Sequence, residues 1–131
     1  MDRADEEPSS PRFAPEALPR KEEVRPEAFF ALDLRAGRVV EADDFPEARK
    51  PAYKLTVDFG PAVGHLRTSA QLTNYRRDEL LHRLVVGAIN LGTKRIAGFT
   101  SEFLVLGSFD PDGTVRLLGV DDSAEPGAPI A

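Results

Sequence analysis

Two neighbouring segments of the chain alternate between apolar and other side chains. In residues 53–59 the apolar members are Tyr53, Leu55, Val57 and Phe59. Residues 66–72 repeat the pattern and place polar side chains on the opposite face. A period of two residues is typical of a strand with one buried face, because successive side chains point to opposite sides of a sheet. The sequence therefore predicts two adjacent half-buried strands joined by a glycine-flanked hairpin turn.

Further strand signals follow at short intervals. The sequence predicts strands over residues 34–42, 84–91, 103–106 and 114–120, with a short helix over residues 78–83. Gly37 predicts the bulge that a small barrel needs in order to curl. Closely spaced strands with one helix between the third and the fourth match the five-stranded Greek-key barrel called the OB-fold. We therefore expect an all-β OB-fold with short helices and terminal extensions, its last two strands joined by a turn at residues 110–113.

The N-terminal residues differ in composition from the rest of the chain. Residues 1–24 contain four prolines, four cations and seven anions, so they bury too little apolar surface to offset the entropy of ordering. We predict a disordered acidic tail over residues 1–24 and one folded domain over residues 25–131. Pro26 suits the first turn of a helix whose Phe29 and Phe30 either plug the barrel or lie in a dimer interface. A chain of 131 residues gains stability from an apolar partner surface, so we expect a homodimer.

The residues that the chain lacks exclude several chemistries. It has no cysteine, and therefore no disulfide, thiolate metal site or cysteine nucleophile. It has no apolar run of about 18 residues, and its first residues are acidic, so we expect no membrane insertion and a cytoplasmic location. His65 and His82 are the only histidines, and neither lies in a catalytic or metal-binding motif. We therefore expect a non-catalytic protein without a cofactor or metal.

Charge is distributed unevenly along the chain, whose formal net charge is -5. Residues 49–95 carry nine cations against three anions, a balance of +6. Residues 1–24 and 96–131 are acidic, with balances of -3 and -5. A basic centre between acidic ends favours a local anionic partner such as a nucleic acid. A solvated surface without a partner is the alternative interpretation of the same distribution.

The basic centre falls on the elements that bind ligands in an OB-fold. There the ligand lies across strands 2 and 3, framed by the loops between strands 1 and 2 and between strands 4 and 5. We predict RNA contacts from cations that meet phosphates and from polar side chains that read exposed base edges. The predicted contact residues are Arg49, Lys50, Lys54, Arg67, Asn74, Tyr75, Arg76, Asn90, Lys94, Arg95 and Ser101. The alternative is that Arg49 pairs with Glu47 or Glu102 and only seals the barrel.

Aromatic residues offer two further kinds of contact. Tyr75 is the candidate for stacking on a base, and the alternative is that it caps the end of the barrel. Tyr53 shares a strand face with apolar residues and is expected in the core. Phe45, Phe99 and Phe103 are candidates for an apolar groove that binds an unfolded peptide. The alternative is that most phenylalanines lie in the core or in the dimer interface. Phe45 and Phe99 are the two that we least expect in the core.

Three motifs occur in an order and spacing that resemble one known family. They read FPEARKPAYKLTVDFG at residues 45–60, SAQLTNY at residues 69–75 and KRIAGFTSEFLVLG at residues 94–107. Together they resemble the CsaA family, a stand-alone relative of the tRNA-binding domain appended to methionyl- and phenylalanyl-tRNA synthetases. The resemblance covers residues 27–130.

The resemblance implies an OB-barrel whose terminal extensions build a homodimer. It also implies two activities, which are tRNA binding and a chaperone role in holding unfolded precursor proteins before export. The matched positions are Arg49, Lys50, Pro51, Lys54, Ser69, Gln71, Thr73, Asn74, Tyr75, Arg95, Gly98, Ser101 and Glu102. We expect tRNA binding to be the main function, because the basic centre supports it independently. The chaperone role rests on the resemblance alone.

Overall fold

The structure, a computed structural model, describes residues 12–131. Its strands are β1 (Leu34–Asp44), β2 (Tyr53–Asp58), β3 (His65–Ala70), β4 (Leu84–Ala88), β5 (Lys94–Ile96), β6 (Phe99–Ser101), β7 (Leu104–Val105), β8 (Gly107–Phe109) and β9 (Val115–Leu117). A single 3-10 turn (Pro15–Ala17) precedes helix α1 (Pro26–Phe30), and helix α2 (Arg77–Leu80) lies between β3 and β4.

Five antiparallel strands form a nearly closed barrel in the order β3-β2-β1-β4-β7. The two edge strands meet along a seam, which we define as the boundary between β3 and β7. At one end of the seam the backbone N–H of Glu102 donates to the carbonyl of Arg67 at 2.7 Å. Beside this bond the hydroxyl of Thr68 donates to the carbonyl of Phe103, also at 2.7 Å. The predicted all-β OB-fold is confirmed.

The core fills the barrel with the apolar faces of the predicted alternating strands. Leu55, Val57 and Phe59 on and after β2 have no solvent exposure. Phe59 meets Phe103 edge to face, with ring centroids 4.9 Å apart, an arrangement that aromatic pairs prefer. Tyr53 packs against this cluster from its rim, as expected for a residue on the same strand face.

The two short helices differ in what they bury. Leu80 of α2 is completely buried in the main core. Helix α1 buries no residue, and Phe30 is 71% exposed. The alternative in which α1 plugs the barrel is therefore wrong, because the helix leaves its apolar side chains in solvent.

Strand boundaries differ from the prediction for identifiable reasons. The bulge in β1 lies between Val39 and Glu41 instead of at Gly37. Gly37 serves close packing, since a Cβ there would lie 2.5 Å from Val57 Cγ1. The turn at residues 110–113 is confirmed, with Gly113 at a φ of 94°, but it joins β8 to β9 in a separate two-stranded sheet. The β5–β6 hairpin was not predicted, because its strands are too short to show a period.

The predicted tail of residues 1–24 is only partly described. Residues 1–11 lie outside the described residues, and disorder over residues 1–24 stays a prediction. At the start of the described chain, the Phe13 ring stacks on that of Phe109 with centroids 4.3 Å apart. Ala14 beside it is buried. Within residues 12–131, no helix combines the length and apolarity that crossing a membrane requires.

Candidate nucleic-acid interface

Two loops of the barrel are joined by a small aromatic cluster. One loop connects β1 to β2, and the other connects β4 to β7 and contains the β5–β6 hairpin. Phe45 of the first loop and Phe99 of the hairpin are both buried, with ring centroids 5.5 Å apart. Ala52 completes the cluster, and Ala48 and Ile96 pack against it. We call the Phe45–Phe99 pair the aromatic clip, because it connects loops that are far apart in sequence.

The hairpin is shaped to present Phe99 to the clip. Its two turn residues, Ala97 and Gly98, have φ values of 49° and 82°. Positive φ at both central positions is the geometry that lets a two-residue turn follow the right-handed twist of its strands. Ile96 and Phe99 are direct partners on either side of this turn. Both side chains therefore reach the apolar cluster, while the turn itself stays exposed.

Two cations of the barrel strands lie on the clip. The Lys54 Nζ is 4.9 Å from the Phe45 ring centroid and 5.5 Å from that of Phe99. The Arg67 Cζ is 4.7 Å from the Phe99 centroid. A cation over an aromatic face gains about 0.5–1 kcal/mol at an exposed site. The expectation that Phe45 and Phe99 lie outside the core is wrong, because they pack on each other under these cations.

Six of the predicted contact residues are cations of the two loops and of strands β2 and β3, and we refer to this set as the basic face. Its members are Arg49, Lys50, Lys54, Arg67, Lys94 and Arg95. Five of them are exposed, and Lys54 is half-buried. None of the six takes part in an ion pair formed within residues 12–131. Among residues 12–131, Arg49 forms no ion pair with Glu47 or Glu102, so the structure does not support that alternative.

Glu102 has a different role in the barrel. Its carboxylate accepts the backbone N–H of Arg67 at 2.9 Å, in addition to the backbone bond across the seam. Ser101 also bridges the seam, with its hydroxyl 2.8 Å from that of Thr68. On the exposed side of the hairpin, Arg95 donates to the Thr100 hydroxyl at 2.8 Å. Ser101 and Glu102 thus close the barrel beside the basic face.

Three other predicted contact residues make bonds within the barrel. The Asn90 amide donates to the carbonyl of Ala31 at 2.9 Å and accepts the N–H of Asp33 at 2.8 Å. It therefore ties the end of α1 to the start of β1. Asn74 donates to the carbonyl of Val115 at 3.0 Å and holds β9 against the turn after β3. These bonds give Asn90 and Asn74 structural roles that the sequence did not indicate.

Arg76 is the third of these residues. Its guanidinium donates to Asp78 at 3.0 Å, and that hydrogen bond is the main reason why the pKa of Arg76 is raised. Glu79 lies 3.9 Å away and raises the pKa further. Two carboxylates at the start of α2 thus neutralise Arg76, unlike the cations of the basic face.

Tyr75 has the alternative role considered for it, which is to cap the barrel end. Its hydroxyl accepts the backbone N–H of Leu117 at 3.0 Å. Its carbonyl accepts the hydroxyl of Tyr53 at 2.8 Å, and Arg83 lies over its ring at 4.9 Å. The ring is half-buried and packs against the main core. This geometry does not support the prediction that Tyr75 stacks on a base.

A groove of about 660 Å³ opens where the seam widens. Along one wall run the end of β3 and the following turn, together with Lys50 of the first loop. The other wall includes Leu104 and Phe109, which are 52% and 54% exposed. Backbone groups point to alternate sides along an antiparallel strand. Arg67 bonds across the seam and Leu106 bonds to Val86 of β4, so the backbone groups of Ser69 and Val105 face the seam. Sequence reasoning missed this groove because its walls come from separate segments.

The long first loop and the hairpin-bearing second loop on a five-stranded barrel define a single OB-fold domain. Residues 34–129 match the family described as a putative tRNA binding domain, and the chain belongs to that family. The resemblance noted from the three motifs is confirmed by this match and by the solved structures described next.

Two solved CsaA structures superpose on most of the chain. The CsaA chaperone protein of Picrophilus torridus has 45% identity and a TM-score of 0.79, covering 83% of this chain and 100% of its own. The CsaA chaperone of Bacillus anthracis str. Ames has 40% identity and a TM-score of 0.79, covering 84% of this chain and 100% of its own. The methionine–tRNA ligase of Thermococcus onnurineus is 38% identical over 109 residues, which are 83% of this chain but only 14% of the ligase. The chain thus corresponds to a small part of the synthetases that it matches.

We predict that Phe99 couples the clip to Lys54. Phe99→Ala removes a buried ring and should lower the free energy of unfolding by about 3–5 kcal/mol. Phe99→Leu keeps much of the apolar volume and should cost less. A double-mutant cycle of Phe99→Leu with Lys54→Met, measured by urea unfolding, should give a coupling of about 0.5–1 kcal/mol. Additive effects would show that Lys54 does not interact with the ring.

Proposed function

We propose that this chain binds tRNA through the basic face. The observation that carries the proposal is the group of six cations without ion-pair partners in the described chain, on two loops and the adjoining strands. Lys and Arg side chains neutralise phosphates, and the counterions released from the RNA drive binding. Structured RNA is recognised mainly through its shape and backbone, for which such a surface is suited. A tRNA partner is also consistent with the predicted cytoplasmic location.

The aromatic clip supports this proposal by reducing the ordering that binding requires. Loops that are already fixed lose less conformational entropy when they meet a ligand. The clip joins the loop that carries Arg49 and Lys50 to the hairpin that carries Lys94 and Arg95. A guanidinium stacked on a ring keeps its in-plane N–H donors available, so Arg67 can contact both Phe99 and a phosphate.

We also propose that the protein acts as a homodimer, with α1 in the interface. Phe29, Phe30 and Leu32 are 40%, 71% and 41% exposed, and Leu91 is 54% exposed. Leu91 follows Asn90, whose side-chain amide bonds to Ala31 and Asp33 directly after α1. Contiguous apolar groups on a surface mark interaction sites. A dimer would present two copies of the basic face to one RNA and bind through both.

A second candidate function is the holding of unfolded polypeptides in the groove. The apolar side chains of Leu104 and Phe109 and the seam-facing backbone of Ser69 and Val105 support it. An extended peptide is able to pair with an exposed strand edge while its side chains enter apolar pockets. The proposed contacts differ from the predicted set of Phe45, Phe99 and Phe103, since all three are buried within this chain. The two CsaA proteins whose structures superpose on this chain are described as chaperones.

We predict that removing three cations of the basic face weakens tRNA binding. The triple variant Arg49→Ala/Lys94→Ala/Arg95→Ala should raise the Kd for bulk tRNA at least tenfold at low salt, because each lost phosphate contact loses the free energy of counterion release. Fluorescence anisotropy with labelled tRNA measures the change.

A charge-matched control separates this face from net charge. Arg20→Ala/Lys21→Ala/Arg25→Ala removes the same number of cations from exposed positions outside the two loops. This control should leave the Kd within about threefold of the unsubstituted protein, because it alters only long-range, salt-screened attraction. Equal losses in both triple variants would contradict a local site.

We predict that Phe30→Glu separates the dimer. A carboxylate in an apolar interface lacks a partner and opposes association. Analytical ultracentrifugation at micromolar concentration should give a dimer for the unsubstituted protein and a monomer for this variant. Leu18→Glu, at another exposed apolar position, serves as the control and should remain dimeric. A monomer without any substitution would contradict the proposed interface.

For the second candidate, we predict that Leu104→Glu weakens capture of a reduced, unfolded polypeptide. Apolar burial drives such capture, so binding by the unsubstituted protein should persist as salt rises. A light-scattering assay of polypeptide aggregation measures the capture. The basic-face triple variant is the control and should still protect the polypeptide from aggregation. Protection that disappears in the triple variant but survives in Leu104→Glu would assign polypeptide capture to the basic face.

A further inference from the structure

The start of the described chain is attached to the β8–β9 hairpin. The Phe13 ring stacks on that of Phe109, and its N–H donates to the carbonyl of Pro111 at 3.4 Å. A Cβ added at Gly113 would lie 3.8 Å from the same ring. Ala14, the next residue, is 8% exposed. The chain is therefore attached to this hairpin at Phe13, which follows residues 1–11 and Arg12 in the sequence.

This attachment point and part of the basic face border the same groove. The residues that line this groove include Phe109 and Gly113 as well as Ala48, Lys50 and Ile96. Ala48 and Lys50 flank Arg49 in the sequence, and Ile96 follows Arg95. The attachment point and the two basic loops thus both line one cavity of about 660 Å³.

The eleven residues before Arg12 complement the basic face in charge. They contain four carboxylates, Asp2, Asp5, Glu6 and Glu7, against the single cation Arg3, a balance of -3. They have no large apolar side chain after Met1, so they gain little from apolar contacts within the groove. Eleven residues span at most about 40 Å when extended, which exceeds the width of a groove of this volume. Length and charge both allow the segment to reach the cations beyond the groove.

We propose that residues 1–11 dock on the basic face and compete there with RNA. The competition rests on the proposed tRNA-binding function, whereas the docking does not. Attachment at Phe13 gives the segment an effective concentration on the order of millimolar, so a weak intrinsic affinity suffices for it to occupy the face. Its carboxylates meet the cations that would otherwise meet phosphates, and the resulting attraction is reduced by salt.

The docking is tested without RNA. Two-dimensional amide NMR spectra of the full chain and of a variant lacking residues 1–11 are compared at low and high salt. Docking predicts shift differences at Arg49, Lys50 and Arg95 that shrink at high salt. A peptide of residues 1–11 added to the truncated variant should reproduce them. Differences confined to the residues around Phe13 and the β8–β9 turn would overturn the proposal.

The competition is tested by titration with bulk tRNA. If the segment covers the face for half to nine-tenths of the time, its removal tightens binding about two- to tenfold. Asp2→Asn/Asp5→Asn/Glu6→Gln/Glu7→Gln should act like the truncation, and Phe13→Ala should act in the same direction. Arg3→Gln makes the segment more acidic and should weaken binding, which provides a control of opposite sign.

The two tests separate the possible failures. Docking shifts with unchanged tRNA affinity would overturn the competition. If no variant binds tRNA at low salt, the proposed function fails, and the NMR comparison still decides whether the segment docks.

Discussion

The aromatic clip is the contact on which the candidate interface depends. Phe45 and Phe99 lie in different loops, and their rings meet beneath Lys54 and Arg67. Without this contact each loop would hold its cations in many positions, and an RNA would have to order both loops on binding. The clip replaces that entropy cost with packing that is already present in the free protein. It also explains why aromatic residues in polar loops are buried.

The basic face carries an electrostatic cost that a ligand would relieve. Six cations lie on two loops and two strands without ion-pair partners among residues 12–131, while Arg76 and Arg116 elsewhere are paired with carboxylates. Repulsion between exposed like charges is modest because water and salt screen it. An anionic partner removes the repulsion and gains the energy of counterion release. The same property makes the face a target for the acidic residues 1–11.

The sequence predicts the barrel and the outward-facing positions of the strand cations well, because both depend on local patterns. Alternation places Lys54 and Arg67 on the outer face, and strand pairing brings them near each other. The clip was mispredicted because Phe45 and Phe99 lie beside a proline and a glycine, which usually indicate exposed turns. Their burial results from a long-range contact that no period in the sequence records. The groove was missed for the same reason.

Side-chain bonding is the other feature that the sequence does not reveal. Asn90 and Tyr75 are residue types that often contact RNA. In the structure, however, both side chains hydrogen-bond to backbone groups of distant segments. A polar residue next to cations gives the same sequence pattern whether its side chain binds a ligand or hydrogen-bonds to a neighbouring strand. Only the position of its partners distinguishes the two.

The most direct test of the central claim is the salt dependence of tRNA affinity for the unsubstituted protein. If the six cations of the basic face each meet a phosphate, the logarithm of the association constant should fall with the logarithm of salt concentration with a slope of about 4 to 5. A slope near zero, or no binding at low salt, would contradict the account.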